Sequence, residues 1–446
     1  MRPQGESPKD QSLDRQIVAL ALPALGALVA EPLFVLVDSA VVGRLGTSEL
    51  AGLSVASTLL MTTVGLCIFL AYATTAAVAR RTGAGRRAEA LQAGIDGLWL
   101  ALALGLAIAA ALVLAAPWAV ARLGADGAVA TNAVSYLRWS APGLPGMLLV
   151  LAATGVLRGL RDTRTPLWVA AGGALLNAIL SVTLVHVVGM GIAGSGLGTT
   201  IAQLAMAVVL GIVVVRGARR ADASLRPHRA GIWAQARQGI PLFVRTLSLR
   251  LAILLTVFVA TGLGALTLAG HQVVSAMWGL TAFALDALAI AAQALVGTAL
   301  GAGDLARTRD VLRRCLRWGV LGGAALGVTV AAVGPLVAPL FTSDVAVQDA
   351  VVAGLVVAGV LMPLGGWVFV LDGVLIGAGD GRYLAWAGIL TLVVYTPCAL
   401  AVRAFAPGGS AGLVWLWVGF AGVFMLARAL TTGLRARTTA WMVTGA

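Results

Sequence analysis

The sequence predicts an all-α integral membrane protein with twelve transmembrane helices in two six-helix lobes, and three observations lead to this fold class. The first is composition: of 446 residues, 60% are hydrophobic and only 11% are charged, against roughly 25% charged in a soluble domain. The second is a series of long apolar runs, and the third is an internal repeat that divides these runs into two sets of six. Together they exclude a soluble globular protein.

The apolar runs follow one another from one end of the chain to the other. A helix needs about 20 apolar residues to cross the hydrocarbon core of a bilayer. The segment before the first run is polar and carries both charge signs, so we expect no cleavable signal peptide there. We predict spans at 17–43, 48–79, 91–116, 129–157, 165–187, 192–215, 238–262, 266–299, 315–338, 348–377, 384–402 and 411–432.

The basic residues set the orientation of these spans, because Lys and Arg concentrate in short cytoplasmic loops. With the N-terminus inside, most of the 31 basic residues fall in cytoplasmic segments, and the outer loops hold only Arg44, Arg122 and Arg403. The net charge of +13 therefore reflects topology, and we expect no nucleic-acid partner. We predict a multi-pass protein of the cytoplasmic (inner) membrane with both termini in the cytoplasm.

The internal repeat shows as collinear matches at one constant offset, the shift that brings Leu45 onto Leu263. Collinear matches that include Pro and Asp in loops, such as Pro117 with Pro335, are hard to obtain by chance in a chain rich in Ala, Gly and Val. They include Leu45-Gly46 with Leu263-Gly264, the Gly-Ala-Gly of 83–85 with that of 301–303, Asp126 with Asp344, and Asp162 with Asp380.

Each half of the repeat contains six spans, which is an even number. The halves are therefore expected to be related by a pseudo-two-fold axis along the membrane normal. We predict an N-terminal lobe at 1–216, a cytoplasmic linker at 217–237 and a C-terminal lobe at 238–446. Two facing bundles suit alternating access, so the repeat favours a transporter over a channel.

The first span carries two carboxylates, Glu31 and Asp38, although an ionisable residue at the centre of a span costs about 2.5–3.5 kcal/mol. Their spacing of seven residues places both on one helix face, about 10 Å apart along the axis. Pro32 lies between them and is expected to bend the span. We predict that both take part in ion coupling. The alternatives are a solvated helix end for Asp38 and a structural buried pair for Glu31.

Polar residues of the fifth and sixth spans lie at a similar depth to Asp38. Asn177 and Ser181 are four residues apart and share a helix face, and Thr199, Thr200 and Gln203 lie in the outer half of the sixth span. Any one of them alone could be an interhelical hydrogen bond. As a set they predict a polar pocket, with Asn177 and Ser181 near the coupling ion and the other three lining a substrate cavity.

The second half carries arginines in its first span instead of carboxylates. Matching depths predicts that Arg250 pairs with Asp286 and that Arg245 pairs with Asp372. The alternative is that these four residues line the substrate cavity, where the two arginines would attract an anionic compound.

The sequence offers no cofactor site or catalytic site. His186 and His271 have no second ligand nearby, and the three cysteines are isolated in apolar surroundings, so no metal is expected. No convergent His/Asp or Ser/Lys set appears at one depth, and no GxxxxGK[ST] phosphate loop is present. We therefore expect neither an enzyme nor an ATP-driven pump.

Several stretches resemble the multidrug and toxic compound extrusion (MATE) family, in its DNA-damage-inducible F branch. The resemblance covers both halves. It implies twelve helices in two lobes and multidrug efflux by antiport with protons or sodium ions. It is carried by Glu31-Pro-Leu-Phe-Val-Leu-Val-Asp38, Leu268-Ala-Gly-His-Gln272, Ala291-Ala-Gln-Ala-Leu-Val-Gly297 and Leu371-Asp-Gly-Val-Leu-Ile-Gly-Ala378.

The resemblance also implies roles for single residues. The family's first-span aspartate falls on Asp38 and its fifth-span asparagine on Asn177. A fifth-span aspartate common in relatives falls on Ser181, which cannot titrate, so the coupling charge would rest on Asp38 with Glu31 as a candidate second carboxylate.

We therefore expect a monomeric secondary transporter, surrounded by membrane lipid, that exports small amphipathic compounds with protons favoured over sodium as the coupling ion. The alternative is a lipid-linked oligosaccharide flippase, whose pyrophosphate headgroup would use Arg138, Arg245 and Arg250 in an arginine-lined cavity.

Overall fold

The computed structural model describes the backbone of residues 8–445 and the side chains of residues 13–445 except that of residue 31. Within these residues the chain is helical, and twelve helical segments are long and apolar enough to cross a membrane. The predicted fold class and span number are thus confirmed. The helices are α1 (Pro8–Val42), α2 (Thr47–Leu66), α3 (Phe69–Gly83), α4 (Arg87–Arg122), α5 (Gly127–Ser140), α6 (Leu144–Gly159), α7 (Arg164–Val182), α8 (Ile192–Arg220), α9 (Arg229–Gly262), α10 (Ala265–Gly301), α11 (Leu305–Phe341), α12 (Val345–Gly377), α13 (Gly381–Phe405), α14 (Gly409–Trp417) and α15 (Met425–Arg437).

Three of the spans contain two helices each. Thr47–Gly83 joins α2 to α3, Gly127–Gly159 joins α5 to α6, and Gly409–Arg437 joins α14 to α15. The second break is a short 3-10 turn, Ala141–Gly143, and the third is a π-helical turn, Val418–Phe424. These irregular turns keep the backbone hydrogen-bonded where lipid offers no alternative partner.

The polar loops contain the signals that start new helices. Asp304 precedes α11, and its carboxylate accepts a hydrogen bond from the backbone N–H of Arg307 at 2.8 Å. Asp344 precedes α12 and accepts one from Ala346 at 2.9 Å. Both are N-caps, which satisfy amide groups that the first helical turn leaves free.

The contact between α11 and α12 is built on glycines. Gly319, Gly323 and Gly327 recur every four residues along one face of α11, opposite Gly359 and Gly366 of α12. A Cβ on Gly366 would lie 1.9 Å from the carbonyl oxygen of Gly319, and one on Gly327 would lie 2.1 Å from that of Gly359. In a membrane, where helices associate by close packing, small residues at this spacing let two backbones touch.

The chain forms two compact units, whose bounds differ from the lobes predicted from the sequence. One unit is Leu22–Gly239, and the other combines the described residues up to Ala21 with Ile240–Gly445. The predicted linker at 217–237 is largely helical, because α8 ends at Arg220 and α9 begins at Arg229. We call Leu22–Gly239 the N unit and the other the C unit.

The first helix of each half therefore starts in the unit formed mainly by the other half. The change of unit occurs after Ala21 in α1 and after Gly239 in α9, two positions that the repeat offset brings into register. A proline follows each change, Pro23 in α1 and Pro241 in α9. The crossing is thus a symmetric feature of the duplicated fold.

Each starting segment is anchored inside its unit by a polar contact. In the C unit, Asp14 of α1 accepts hydrogen bonds from Arg314 and, at 2.7 Å, from Trp318 of α11. In the N unit, the Asp96 carboxylate of α4 accepts the backbone N–H of His228 at 3.3 Å, just before α9 begins. Asp96 and Arg314 occupy equivalent positions in the repeat. The same position therefore anchors the crossing segment of each unit, through a carboxylate in the N unit and through a guanidinium group in the C unit.

Candidate functional site

The N unit encloses a cavity of about 160 Å³ whose wall is mostly apolar. Aliphatic side chains contribute most of it, together with Phe34, Met61, Met147 and Met206. Asp38 provides the carboxylate in this wall. The cavity therefore combines an adaptable apolar surface with one fixed acidic group.

Asp38 is 3% exposed, and neutral donors from three helices surround its carboxylate. Ser181 donates to Oδ1 at 2.8 Å and the Asn177 amide donates to the same oxygen at 3.2 Å. Thr199 donates to Oδ2 at 3.1 Å and the Tyr136 hydroxyl donates to it at 3.2 Å. Hydrogen bonds to an ionised group are the strong ones, so the site is built to hold the charge of a single buried carboxylate.

The structure brings together most of the N-half residues singled out from the sequence. Asn177 and Ser181 of α7 contact Asp38 directly, as does Thr199 of α8. Gln203, one turn further along α8, lines the cavity without touching Asp38 among the described contacts.

Two of the predicted N-half residues fall elsewhere. Thr200, predicted to line the substrate cavity, is turned away from it, and its hydroxyl donates to the carbonyl oxygen of Trp139 at 2.7 Å. It follows Thr199 by one residue, so it lies about 100° around α8. Glu31, predicted as a second coupling carboxylate, lies in α1 outside the residues whose side chains are described.

Tyr136 of α5 is the contact to Asp38 that the sequence did not indicate. It is 3% exposed, and its hydroxyl also lies 3.5 Å from that of Thr199. In a membrane sequence a tyrosine usually indicates the membrane surface. Its position could have indicated this contact, because Tyr136 lies nine residues into a span, where a buried phenolic hydroxyl needs a hydrogen-bond partner.

The charges of the C unit form a buried cluster rather than a cavity wall. Arg245 of α9 donates to Asp372 of α12 at 2.6 Å, which is the pair predicted from depth. Arg428 of α15 donates to the same carboxylate oxygen, Oδ2. Asp286 lies close enough to Arg428 to interact with it electrostatically. These groups therefore neutralise one another inside the unit.

The prediction for Arg250 is wrong. Arg250 is exposed on α9, and among the described side chains no ion pair links it to Asp286. Arg428, which lies inside the predicted span 411–432, takes its place beside Asp286. Arg245, Arg250, Asp286 and Asp372 are also absent from the described wall of the N-unit cavity.

The repeat-equivalent of the Asp38 site carries no charge in the C unit among the described side chains. Thr256 stands in the place of Asp38, and its hydroxyl lies 2.7 Å from that of Tyr395, the counterpart of Asn177. Trp417 takes the place of Thr199 and packs against Phe420 with ring centroids 5.6 Å apart. Aromatic rings thus fill this unit where the other holds its carboxylate.

Among residues 13–445, apart from side chain 31, no group of three His, Cys, Asp or Glu side chains is arranged to hold a metal ion.

Comparison with known proteins links this geometry to one family. The MatE family model matches residues 23–183 and 241–400, two segments whose first residues are equivalent in the internal repeat. The chain is 30% identical over 416 residues to Protein DETOXIFICATION 44, chloroplastic, of Arabidopsis thaliana, covering 91% of this chain and 78% of that protein. It is also 30% identical over 375 residues to DNA damage-inducible protein F of Escherichia coli (strain K12), covering 82% of this chain and 81% of that one.

The fold has close counterparts among solved structures. One is the outward-facing conformation of a multidrug resistance MATE family transporter of the MOP superfamily. It superposes with a TM-score of 0.87 at 22% identity, over 99% of this chain and all of that one (100%).

Proposed function

This chain belongs to the MATE family of multidrug efflux transporters, and from that premise we propose that it exports amphipathic organic compounds by antiport with protons. It is a multi-pass membrane protein of a family whose members are transporters and not enzymes. We further propose that it works as a monomer in the cytoplasmic (inner) membrane, with both termini in the cytoplasm.

The observation that carries the proposal is the setting of Asp38. It is the one carboxylate among the described residues of the cavity wall. Four neutral groups donate to it, and no cation contacts it among the described side chains. A carboxylate in this position can change its charge by binding a proton, which makes it the natural coupling group.

Protonation of Asp38 would rearrange its contacts because a protonated carboxyl becomes a donor itself. The hydroxyls of Ser181 and Thr199 can rotate to accept, but the amide Nδ2 of Asn177 can only donate. The Asp38–Asn177 contact between α1 and α7 is therefore the one most weakened. Proton binding would thus be linked to the packing of α1, which forms part of the cavity wall.

The cavity itself fits a substrate that is partly apolar. Methionine side chains adapt to different shapes, and Met61, Met147 and Met206 all line this cavity. If substrate and proton bind the same region and disfavour each other, each promotes release of the other, as antiport requires.

Sodium is the alternative coupling ion, and one observation favours it. The amide oxygen of Asn177 is buried with no hydrogen-bond partner among the described residues, so it could coordinate a cation. We favour the proton because Ser181 leaves a sodium ion with a single described carboxylate as ligand, whereas one carboxylate is enough to bind a proton.

The flippase alternative loses its main support. It needs an arginine-lined cavity, but Arg245 is paired with Asp372 and Arg250 is exposed. Arg138 is absent from the described cavity wall, where Arg158 is the single arginine.

The test is efflux of ethidium, a fluorescent organic cation, from proteoliposomes under separately imposed proton and sodium gradients. We expect a proton gradient alone to drive efflux and D38N to abolish it. T256V changes the equivalent position of the C unit and serves as the matched control, which should retain efflux. Efflux driven by sodium alone would refute proton coupling, and undiminished proton-driven efflux in D38N would refute the role of Asp38.

A further inference from the structure

A groove of about 490 Å³ lies on the N unit between α4 and α5, apart from the cavity that contains Asp38. Its wall includes Pro117 from α4 and Thr131, Val134, Ser135, Arg138 and Trp139 from α5. Arg138 and Trp139 are both exposed. The groove thus combines a charged group, two hydroxyls and an apolar floor.

Arg138 points away from the transport cavity. It follows Tyr136 by two residues, which is about 200° around the helix. Tyr136 faces inward, because its hydroxyl reaches Asp38, so Arg138 lies on the opposite face of α5. Among the residues whose side chains are described, nothing forms an ion pair with Arg138. Its charge is therefore not explained by the transport site or by a structural pair.

The depth of Arg138 places its charge near the lipid headgroups. The Arg distribution assigns Gly127, where α5 begins, to the outer side, and Arg138 lies about 16 Å below it. The side chain of a helical residue points back toward the N-terminus, so the guanidinium rises past Ser135 toward Thr131. The span Gly127–Gly159 is about 50 Å long against a hydrocarbon core of about 30 Å. The outer end of this span therefore lies among headgroups.

We infer that this groove binds the phosphate of an anionic phospholipid from the outer leaflet. The Arg138 guanidinium would contact two phosphate oxygens, a geometry that arginine favours. The hydroxyls of Ser135 and Thr131 would donate to the same group, and an acyl chain would lie along Val134, Pro117 and the Trp139 ring. Tryptophan at this level is typical of membrane interfaces.

The groove selects a net negative headgroup over a zwitterionic one. No carboxylate occurs among its described lining residues, so the ammonium of a zwitterionic lipid would find no partner there. Phosphatidylglycerol, which carries only the phosphate charge, leaves no such group unpaired. Preference for phosphatidylglycerol over phosphatidylcholine of equal chain length is thus part of the inference.

Native mass spectrometry of the purified full chain in detergent, titrated with each lipid, tests it. We expect one phosphatidylglycerol to bind at least tenfold more tightly than phosphatidylcholine, and R138Q to lose that tenfold preference. R138K should retain part of it, since the charge remains but the two-point contact does not. R122Q is the matched control, because Arg122 is an outer-side arginine stacked over Trp118 at 5.3 Å and does not line the groove.

Three results would overturn the inference. One is equal affinity of the unaltered protein for the two lipids, and another is R138Q binding phosphatidylglycerol as tightly as the unaltered protein. The third is an equal loss in R122Q, which would show a general effect of surface charge. An excess of inorganic phosphate should not displace the lipid, because the acyl chain supplies part of the binding.

Discussion

Replacing Asp372 with Asn should destabilise the C unit more than any other single charge removal in its buried cluster. Asp372 receives both Arg245 and Arg428 on one oxygen, and the three side chains are only 8%, 12% and 9% exposed respectively. The D372N variant leaves two buried guanidinium groups, with Asp286 as the remaining carboxylate of this cluster among the described side chains. Breaking a buried ion pair from one side costs about 3–5 kcal/mol, and we expect a loss in this range.

R245M should cost less, because it removes one charge-assisted hydrogen bond to Asp372, whereas D372N weakens two. Such a bond contributes about 1.5–3 kcal/mol.

Glu89 provides the control: it pairs with Arg86 at 3.2 Å, but the side chains are 55% and 42% exposed. An exposed pair contributes about 0–1 kcal/mol, so the free energy of unfolding of E89Q should be almost the same as that of the unaltered protein.

The measurement is equilibrium unfolding in mixed micelles, followed by far-ultraviolet circular dichroism. A free energy of unfolding for D372N within about 1 kcal/mol of the unaltered protein would refute the account of the cluster as mutually dependent charges. The same conclusion would follow if R245M cost more than D372N, because Asp372 would then not be the shared acceptor on which both arginines depend.

Two further predictions concern packing and coupling. G366A should destabilise the α11–α12 contact by several kcal/mol in the same unfolding assay, because its Cβ would lie 1.9 Å from the Gly319 carbonyl oxygen. G322A is the control: its Cβ would meet nothing nearer than 3.8 Å, so it should be tolerated. Equal losses of unfolding free energy in the two variants would contradict the packing argument. S181D should add a second titratable group within reach of Asp38 and raise the number of protons moved per substrate, measured as the reversal potential of proteoliposome efflux. An unchanged reversal potential would count against Ser181 as part of the coupling site.

Much of the fold could be predicted from the sequence because membrane physics leaves few choices. Hydrocarbon requires long helices, cytoplasmic arginines fix their direction, and the cost of a buried carboxylate singled out Asp38. Asn177 and Ser181 followed, because their spacing of four residues puts them on one face at the depth of Asp38.

The rotation of each helix was harder to predict. In a soluble protein the apolar stripe shows which face is buried, but lipid accepts the same side chains as the interior does. Tyr136 and Arg138 are two residues apart in one apolar span and face opposite ways, which no hydropathy pattern distinguishes. For the same reason Arg250 was paired with Asp286 by depth alone, whereas Arg428 lies beside that cluster and Arg250 is exposed.

The crossing of α1 and α9 between units has a consequence for how this chain can fold. A cut in the segment 221–228 would give two fragments, neither of which contains one whole unit. The first would carry the start of α1, which completes the C unit, and the second would carry residues 229–239, which complete the N unit. Each fragment could finish its own bundle only by taking a segment from the other. Because each half supplies the starting segment of the unit formed mainly by the other half, we expect neither fragment to form a complete unit when it is produced alone.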